Sequence, residues 1–471
     1  MRAVGISMDR AVGALVASAA GDSLGAGYEF GPPLPADAPV EMIGGGIGNF
    51  AVGEWTDDTS MAIPVAEVAS TGADLTSDEA LNQIVEGWFR WADGGPADIG
   101  IQTRAVMSLA KKRTAAGLRD AARQHFRRNP SRSAGNGALM RTAPVALASL
   151  EPEAVMAGAK AISDLTHADP VSGEACAIWS LGIAHAIRHG TFDGVRLALE
   201  HLSPDRAAYW GERLDEAEAR PANSFRRNGW VVEALQAAWS AITRTPVPDA
   251  NPAAHLKLAL ENAVRAGHDT DTVACIAGGL LGARWGVSAV PLEWKRVLHG
   301  WPGYRAHDLQ RIASPGEPDY VGQPGMATLA RHPLDGGLWL GGYDAVVSPP
   351  EEVDAVVSLC RLKNGHWPAP GVAPENHVMV WLADADDRAN PNLRHVLDEA
   401  ASAVARLRAE GRTVLLHCVS AQSRTPTVAA LYAQRLGHAP TEALRKLEGA
   451  LPAVAPNPTF AAIIAGGDER R

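Results

Sequence analysis

Carboxylates gather at Glu54-Trp55-Thr56-Asp57-Asp58-Thr59 and again at Gly267-His268-Asp269-Thr270-Asp271-Thr272. Each cluster runs into an apolar stretch, residues 61–68 and 273–281. Each therefore sits where a helix should begin. A cap with first-turn carboxylates would by itself suit the helix dipole. The same oxygens are hard ligands, suited to Mg²⁺ or Mn²⁺ rather than zinc. Neighbouring Asp residues in a first turn point in different directions, so they could contact two adjacent ions. Two such clusters face to face would repel without cations between them. With cations they would form a binuclear site, open to a diol or phosphate and a water.

A different chemistry is written near the C-terminus, in Leu415-Leu416-His417-Cys418-Val419-Ser420-Ala421-Gln422-Ser423-Arg424-Thr425. A strand-like run, 413–416, precedes Cys418, and a helix-like run, 428–436, follows Arg424. A loop between a strand and a helix aims its backbone N–H groups at one spot, where the dipole also favours negative charge. A cysteine there ionises readily. Arg424 can hold a phosphate by two parallel hydrogen bonds. Thiolate, amides and arginine together make a phosphate-transfer site; the plainer alternative is a buried core cysteine with an unrelated arginine nearby. An acidic loop with Asp384, Asp386 and Asp387 lies upstream, behind the apolar run 378–382. It reads either as the source of a general acid or as a solvated turn.

Two shorter segments add to the first cluster pair. Ser133-Ala134-Gly135-Asn136-Gly137-Ala138-Leu139-Met140-Arg141 sets glycines around Asn136. Bare amides there could bind phosphate, or the segment could be a flexible loop. In Thr166-His167-Ala168-Asp169-Pro170, His167 is a core or helix-end histidine or a substrate contact.

The elements that must position these residues follow from periodicity. From residue 9 to about 300 the pattern is helical, with Ala-rich amphipathic stretches at 78–91, 152–163, 172–188, 231–243 and 252–266. Between Gly300 and Gly325 the chain turns Pro- and Gly-rich, a linker composition. Beyond it, strand-like runs alternate with helix-like ones at 391–410 and 441–450, an α/β pattern. The expected organisation is a first domain over 1–305, a linker over 306–323 and a second domain over 324–471.

The 471 residues suit two or three domains, and 46% hydrophobic content supplies real cores. A net charge of −10 argues against nucleic-acid binding by phosphate neutralisation. Cys176, Cys275, Cys360 and Cys418 show no paired or metal-type spacing, which fits a reducing, cytoplasmic setting. The apolar run 11–20 continues into Gly21-Asp22-Ser23-Leu24-Gly25 and reads as part of the folded domain rather than a leader. No stretch is long and apolar enough to span a membrane.

The order and spread of the first set of motifs resemble the ADP-ribosylglycohydrolase family over residues 9–300. The resemblance rests on Gly13-Ala14 through Gly21-Asp22-Ser23-Leu24-Gly25 to Glu29, then Trp55-Thr56-Asp57-Asp58-Thr59, Gly135-Asn136-Gly137-Ala138, Thr166-His167 and Gly267-His268-Asp269-Thr270-Asp271-Thr272. It implies an all-α orthogonal bundle with two Mg²⁺ ions, Mn²⁺ being the alternative. Thr56, Asp57, Asp58, Asp269, Asp271 and Thr272 match the family's metal ligands. Glu29 matches its acidic residue beside the substrate, with Gly135, Asn136, Gly137 and His167 as substrate contacts. The implied partner is an ADP-ribosylated protein or an ADP-ribose-derived small molecule.

The C-terminal part, from about Pro324, resembles the dual-specificity branch of the cysteine-dependent phosphatases. The resemblance implies a central sheet flanked by helices and a phosphorylated substrate. Cys418 is implied as nucleophile, Arg424 as phosphoryl ligand and Thr425 as the hydroxyl assisting breakdown of a phosphocysteine. Asp387, followed by Asn392-Leu393, best matches the family's general acid, with Asp384 and Asp386 as competitors. One departure stands out: Ala421 occupies a position that is usually glycine, where a Cβ crowds the loop if φ must be positive. The expectation is a bifunctional hydrolase; the alternative is an ADP-ribosyl hydrolase carrying a non-catalytic phosphate-docking module.

Overall fold

A computed structural model describes residues 6–314, 328–363 and 365–468. The chain divides into two compact units. One comprises Met1–Val290 with Val297–Pro315, the other Pro291–Arg296 with Gly316–Arg471.

The first unit is helical, apart from a two-residue ladder of β1 (His299–Gly300) with β2 (Tyr304–Arg305). The periodic stretches fold as their spacing predicts: Asp78–Asp93, Pro152–Ser163, Pro170–His189, Val231–Thr243 and His255–Arg265 are helices. At the centre, helix Ile6–Gly25 lies backbone to backbone on helix Thr270–Trp285. Small residues permit this approach. A Cβ on Gly21 would stand 2.1 Å from the carbonyl oxygen of Ala274, and one on Gly25 would stand 2.4 Å from Asp271 Cα. The glycines of the first motif are therefore the means by which two distant helices bring their ends together.

The second unit is an α/β layer around a five-stranded sheet: β3 (Leu329–His332), β4 (Asp335–Gly341), β5 (Ala355–Ser358), β6 (His377–Met379) and β7 (Val414–His417). The spatial order is β3-β4-β7-β5-β6, with β3 antiparallel to β4 and the other pairs parallel. Side chains alternate across it. Ala355, Val357, Val414 and Leu416 join a core with helices Leu393–Ala409 and Arg424–Arg435. Val356 and Leu415 join a second core on the other face, with Val346, Cys360 and Val372. Both faces are thus covered, as parallel strands require. The apolar run 378–382 is only partly strand, because β6 ends at Met379.

The boundary differs from the linker expected at 306–323. Residues 306–313 form helix Ala306–Ala313, whose Leu309 is fully buried in the first unit. Residues 315–323 lie outside the described residues. Pro291–Arg296, expected in the first domain, belongs instead to the second unit: Leu292 is 3% exposed in its core, and its N–H bonds Glu399 (3.0 Å). Pro/Gly composition marks where a chain bends, not which core its apolar residues join. Among the described residues, no helix is long and apolar enough to cross a membrane.

Candidate active sites

Both acidic clusters open helices, Asp57–Ala69 and Thr270–Trp285, and packing of the helical unit brings them together. Thr56 caps the first helix, its side chain accepting from the Asp58 N–H. Asp58 Oδ2 accepts from both Thr56 Oγ1 and Thr272 Oγ1, each at 3.3 Å. One carboxylate oxygen therefore links motifs 214 positions apart in sequence. Asp57 Oδ2 takes the Gly100 N–H (2.9 Å), and Asp269 Oδ2 takes Asn136 Nδ2 (2.9 Å). Glu29 arrives through a short backbone bridge in which Phe30 N–H donates to the His268 carbonyl and His268 N–H donates to that of Gly31. Oxygens of Glu29, Asp269 and Asp271 then lie within 4.8 Å of one another.

This concentration of negative charge is costly as it stands. Burial, then the neighbouring carboxylates, pushes Glu29 up to about 8 and Asp57 up to about 7. The same causes hold Asp58 and Asp271 well above the usual carboxylate range. Asp58 Oδ1 and Asp271 Oδ1 are buried with no hydrogen-bond partner. Buried polar atoms are rarely left so. Hard oxygens, two of them unpartnered, among carboxylates from two helix starts fit divalent cations such as Mg²⁺.

Gly135, Asn136 and Gly137 sit against His167, which is 1% exposed. A Cβ on Gly135 would lie 3.3 Å from His167 Nε2. Asn136 also bonds the Asn228 carbonyl, and Asn228 Oδ1 accepts from Asp269 N–H. Every candidate of this site is therefore brought to one region of the helical unit.

Three participants escaped the sequence reading. Asp22, fully buried, accepts from Thr56 N, Thr59 N and Thr59 Oγ1 and so anchors the first turn of the Asp57 helix. It lay inside a quoted motif, and an acid following glycine in an apolar helix was its signal. Asp98 raises both Glu29 and Asp57 by its charge and lines a cavity of about 100 Å³ with Asp57, Phe50, Trp55, Trp91 and Trp301. Asn228 had no local signal.

In the second unit, Cys418 follows β7 and Arg424 opens helix Arg424–Arg435, the strand–loop–helix expected. Cys418 is 1% exposed and Thr425 is fully buried. Arg424 Nη1 donates to the carbonyls of Leu359 (3.1 Å) and Leu382 (2.9 Å), while its buried Nε has no partner. The guanidinium is thus anchored at one end, with donor capacity left over. Ala421 has φ +57°, in the left-handed region where a Cβ costs most.

The acidic loop is a closed turn around buried Asn390, which bonds the backbone of Ala383, Ala385 and Asp386. Its three acids have separate surroundings. Asp384 accepts from Ser423 Oγ (2.6 Å) and Asn457 Nδ2 (3.0 Å), which ties it to the cysteine loop. Asp386 pairs with Arg388 (3.1 Å), and Asp387 is exposed.

Residues 5–328 match the family model described as ADP-ribosylglycohydrolase. The chain is 29% identical over 295 residues to ADP-ribosylarginine hydrolase Tri1 of Serratia proteamaculans, covering 61% of this chain and 75% of that protein. It is 28% identical over 304 residues to the ADP-ribosyl-[dinitrogen reductase] glycohydrolase of Rhodospirillum rubrum, covering 62% and 90%. A solved structure of human DUSP28 is similar at 26% identity and TM-score 0.26, covering 30% of this chain and 96% of that one.

Proposed function

The chain belongs to the ADP-ribosylglycohydrolase family, and from that premise we propose that its helical unit hydrolyses the N-glycosidic bond between ADP-ribose and an arginine side chain. The observation that carries this reading is the paired acidic helix starts, with buried, unpartnered oxygens on Asp58 and Asp271. Thr56, Asp57, Asp58, Asp269, Asp271 and Thr272 would hold two Mg²⁺ ions. When bound, the pair supplies Lewis acidity that orients the ribose hydroxyls and a water at the anomeric carbon. Glu29 places its carboxylate beside the ribose. Gly135 and Gly137 leave backbone amides open to phosphate oxygens, and Asn136, tied to Asp269, aligns that segment with the acidic cluster.

Arginine as the acceptor is supported by the cavity beside Asp57. Carboxylates of Asp57 and Asp98 and the rings of Phe50, Trp55, Trp91 and Trp301 offer charge and flat faces to a planar cation. The name of the Serratia relative points the same way. The test is release of ADP-ribose from arginine-linked and serine-linked peptides, with Mg²⁺ and with chelator. Release from the arginine peptide alone, lost on chelation, is expected. Serine-selective release would overturn the acceptor assignment, and metal-independent release the ligand set.

For the second unit we propose phosphate monoester hydrolysis. Cys418 sulfur attacks phosphorus as the bond to the leaving oxygen breaks, and Asp387 protonates that oxygen. Water then attacks phosphorus as the S–P bond breaks, its proton passing to the Asp387 carboxylate and the Cys418 thiolate leaving, with Thr425 assisting. Arg424 binds the phosphoryl oxygens throughout. Asp384 suits a different task, because it accepts from Ser423 and Asn457 and so holds the cysteine loop in place. A second reading, a phosphate-docking module without turnover, is favoured by Ala421 at φ +57°. Turnover of an aryl phosphate separates the two.

A further inference from the structure

Behind the Gly135–Gly137 segment, a buried chain of side chains runs from Arg141 through Thr166 to His167. Arg141 is fully buried, its guanidinium 4.2 Å above the Trp88 ring centroid. Its Nη2 donates to Thr166 Oγ1 (2.5 Å) and to the Ile162 carbonyl (3.3 Å). Thr166 Oγ1 in turn lies 2.8 Å from His167 Nδ1.

Chemistry assigns the protons along this chain. A guanidinium has donors and no acceptor. Thr166 Oγ1 must therefore accept from Arg141, which leaves its own proton for His167 Nδ1. The reverse assignment, with Nδ1–H also donating to Thr166, would leave the threonine proton without an acceptor at a fully buried site. Nδ1 is the acceptor, and the neutral ring carries its proton on Nε2. That atom faces the two glycines, 3.3 Å from a Cβ built on Gly135 and 3.5 Å from one built on Gly137. Absent side chains keep this space open.

We propose that Arg141 and Thr166 are positioning residues: they lock His167 as the Nε2–H tautomer, so that the cleft presents a fixed hydrogen-bond donor to a phosphoryl oxygen of the ligand. The identity of that ligand rests on the reading of the cleft as the ADP-ribose site; the tautomer does not. His167 is thereby assigned to binding rather than to proton transfer. Its burial, with the charges of Arg141 and His125, depresses its pKa well below the usual histidine value and keeps the ring neutral. Besides Thr166, the Arg141 guanidinium meets the Trp88 ring, Met61 Sδ and the Ile162 carbonyl, and Cys176 and Asp57 act on it by charge.

The test is long-range ¹⁵N NMR of the full-length protein labelled at histidine, with the His167 signals assigned by their loss in His167→Gln. Wild type and Thr166→Ser should both show Nε2 protonated and Nδ1 bare. Thr166→Val, which removes the hydroxyl but keeps the shape, should shift the ring to a tautomer mixture. Thr166→Val should bind ADP-ribose about tenfold more weakly, the size of one hydrogen bond to a charged acceptor, and should raise KM for the arginine-linked peptide with a smaller effect on kcat. Nδ1–H in the wild type, or an unchanged tautomer in Thr166→Val, would overturn the proposal. If Thr166→Val fails to fold, the wild-type tautomer alone decides. Wild type with Nε2–H that does not bind ADP-ribose would uphold the relay while sinking the ligand assignment.

Discussion

Single residues decide whether the cysteine site turns over. Ala421 at φ +57° carries strain on the order of 1–2 kcal/mol that glycine would not. Glycine also adds roughly 0.5–1 kcal/mol of unfolded-chain entropy, so Ala421→Gly should raise stability by no more than about 1 kcal/mol. Its effect should appear in rate: aryl phosphatase activity is expected to rise. Wild type and Ala421→Gly both inactive, with phosphate still bound, would leave the docking module standing. Asp387→Asn and Asp384→Asn should separate as well. The first should lose about 10²–10⁴ in rate on alkyl or phosphotyrosyl esters and far less on activated aryl phosphates. The second should affect all esters alike, because it loosens Ser423 and Asn457. Identical ester profiles for the two variants would remove Asp387 from the acid role. The sequence could rank the three acids only by likeness to the phosphatase pattern, which favours Asp387, since which one bonds Ser423 depends on how the closed turn around Asn390 sits.

At the scale of elements, two helix starts share one electrostatic problem. In metal-free protein the raised carboxylates prefer to be protonated when folded. Their contribution to stability is fully present below the unfolded pKa near 4. It is lost as pH rises through the folded values, about 7 for Asp57 and about 8 for Glu29. Chelated protein should therefore melt at a lower temperature at pH 8.5 than at pH 5, and Mg²⁺ should flatten that slope. A chelated protein whose melting point climbs over that range would contradict the cluster. Asp271→Asn should raise the metal-free melting point, reduce the Mg²⁺-induced shift and abolish hydrolysis. A plain helix cap would show none of this. Gly21→Ala tests the helix contact that aligns the cluster. Its Cβ meets the Ala274 carbonyl, so a loss of about 1–3 kcal/mol by urea unfolding is expected, with hydrolysis reduced in step.

At the scale of the whole molecule, the units are not cut where composition suggests. A fragment 318–471 lacks Leu292, whose burial contributes roughly 1.5–3 kcal/mol. A fragment 291–471 should therefore unfold at higher urea than 318–471. In the same way, 1–315 should be more stable than 1–305, which loses buried Leu309. Equal midpoints within either pair would show that these segments contribute nothing to the unit they join.

What the sequence determined by itself is local. Helices at 78–91, 152–163 and 231–243 were legible because apolar periodicity and caps act within a few turns. The cysteine loop was legible because its strand, loop and helix are contiguous in the chain. Tertiary structure alone decided the rest. It set Asp58 against Thr272, brought Asp22 and Asp98 to the cluster, joined Arg141 through Thr166 to His167 and moved 291–296 into the second unit. These contacts link residues whose local patterns carry no mark of each other. They arise only when close packing, such as that of Gly21 on Ala274, sets the distance between elements.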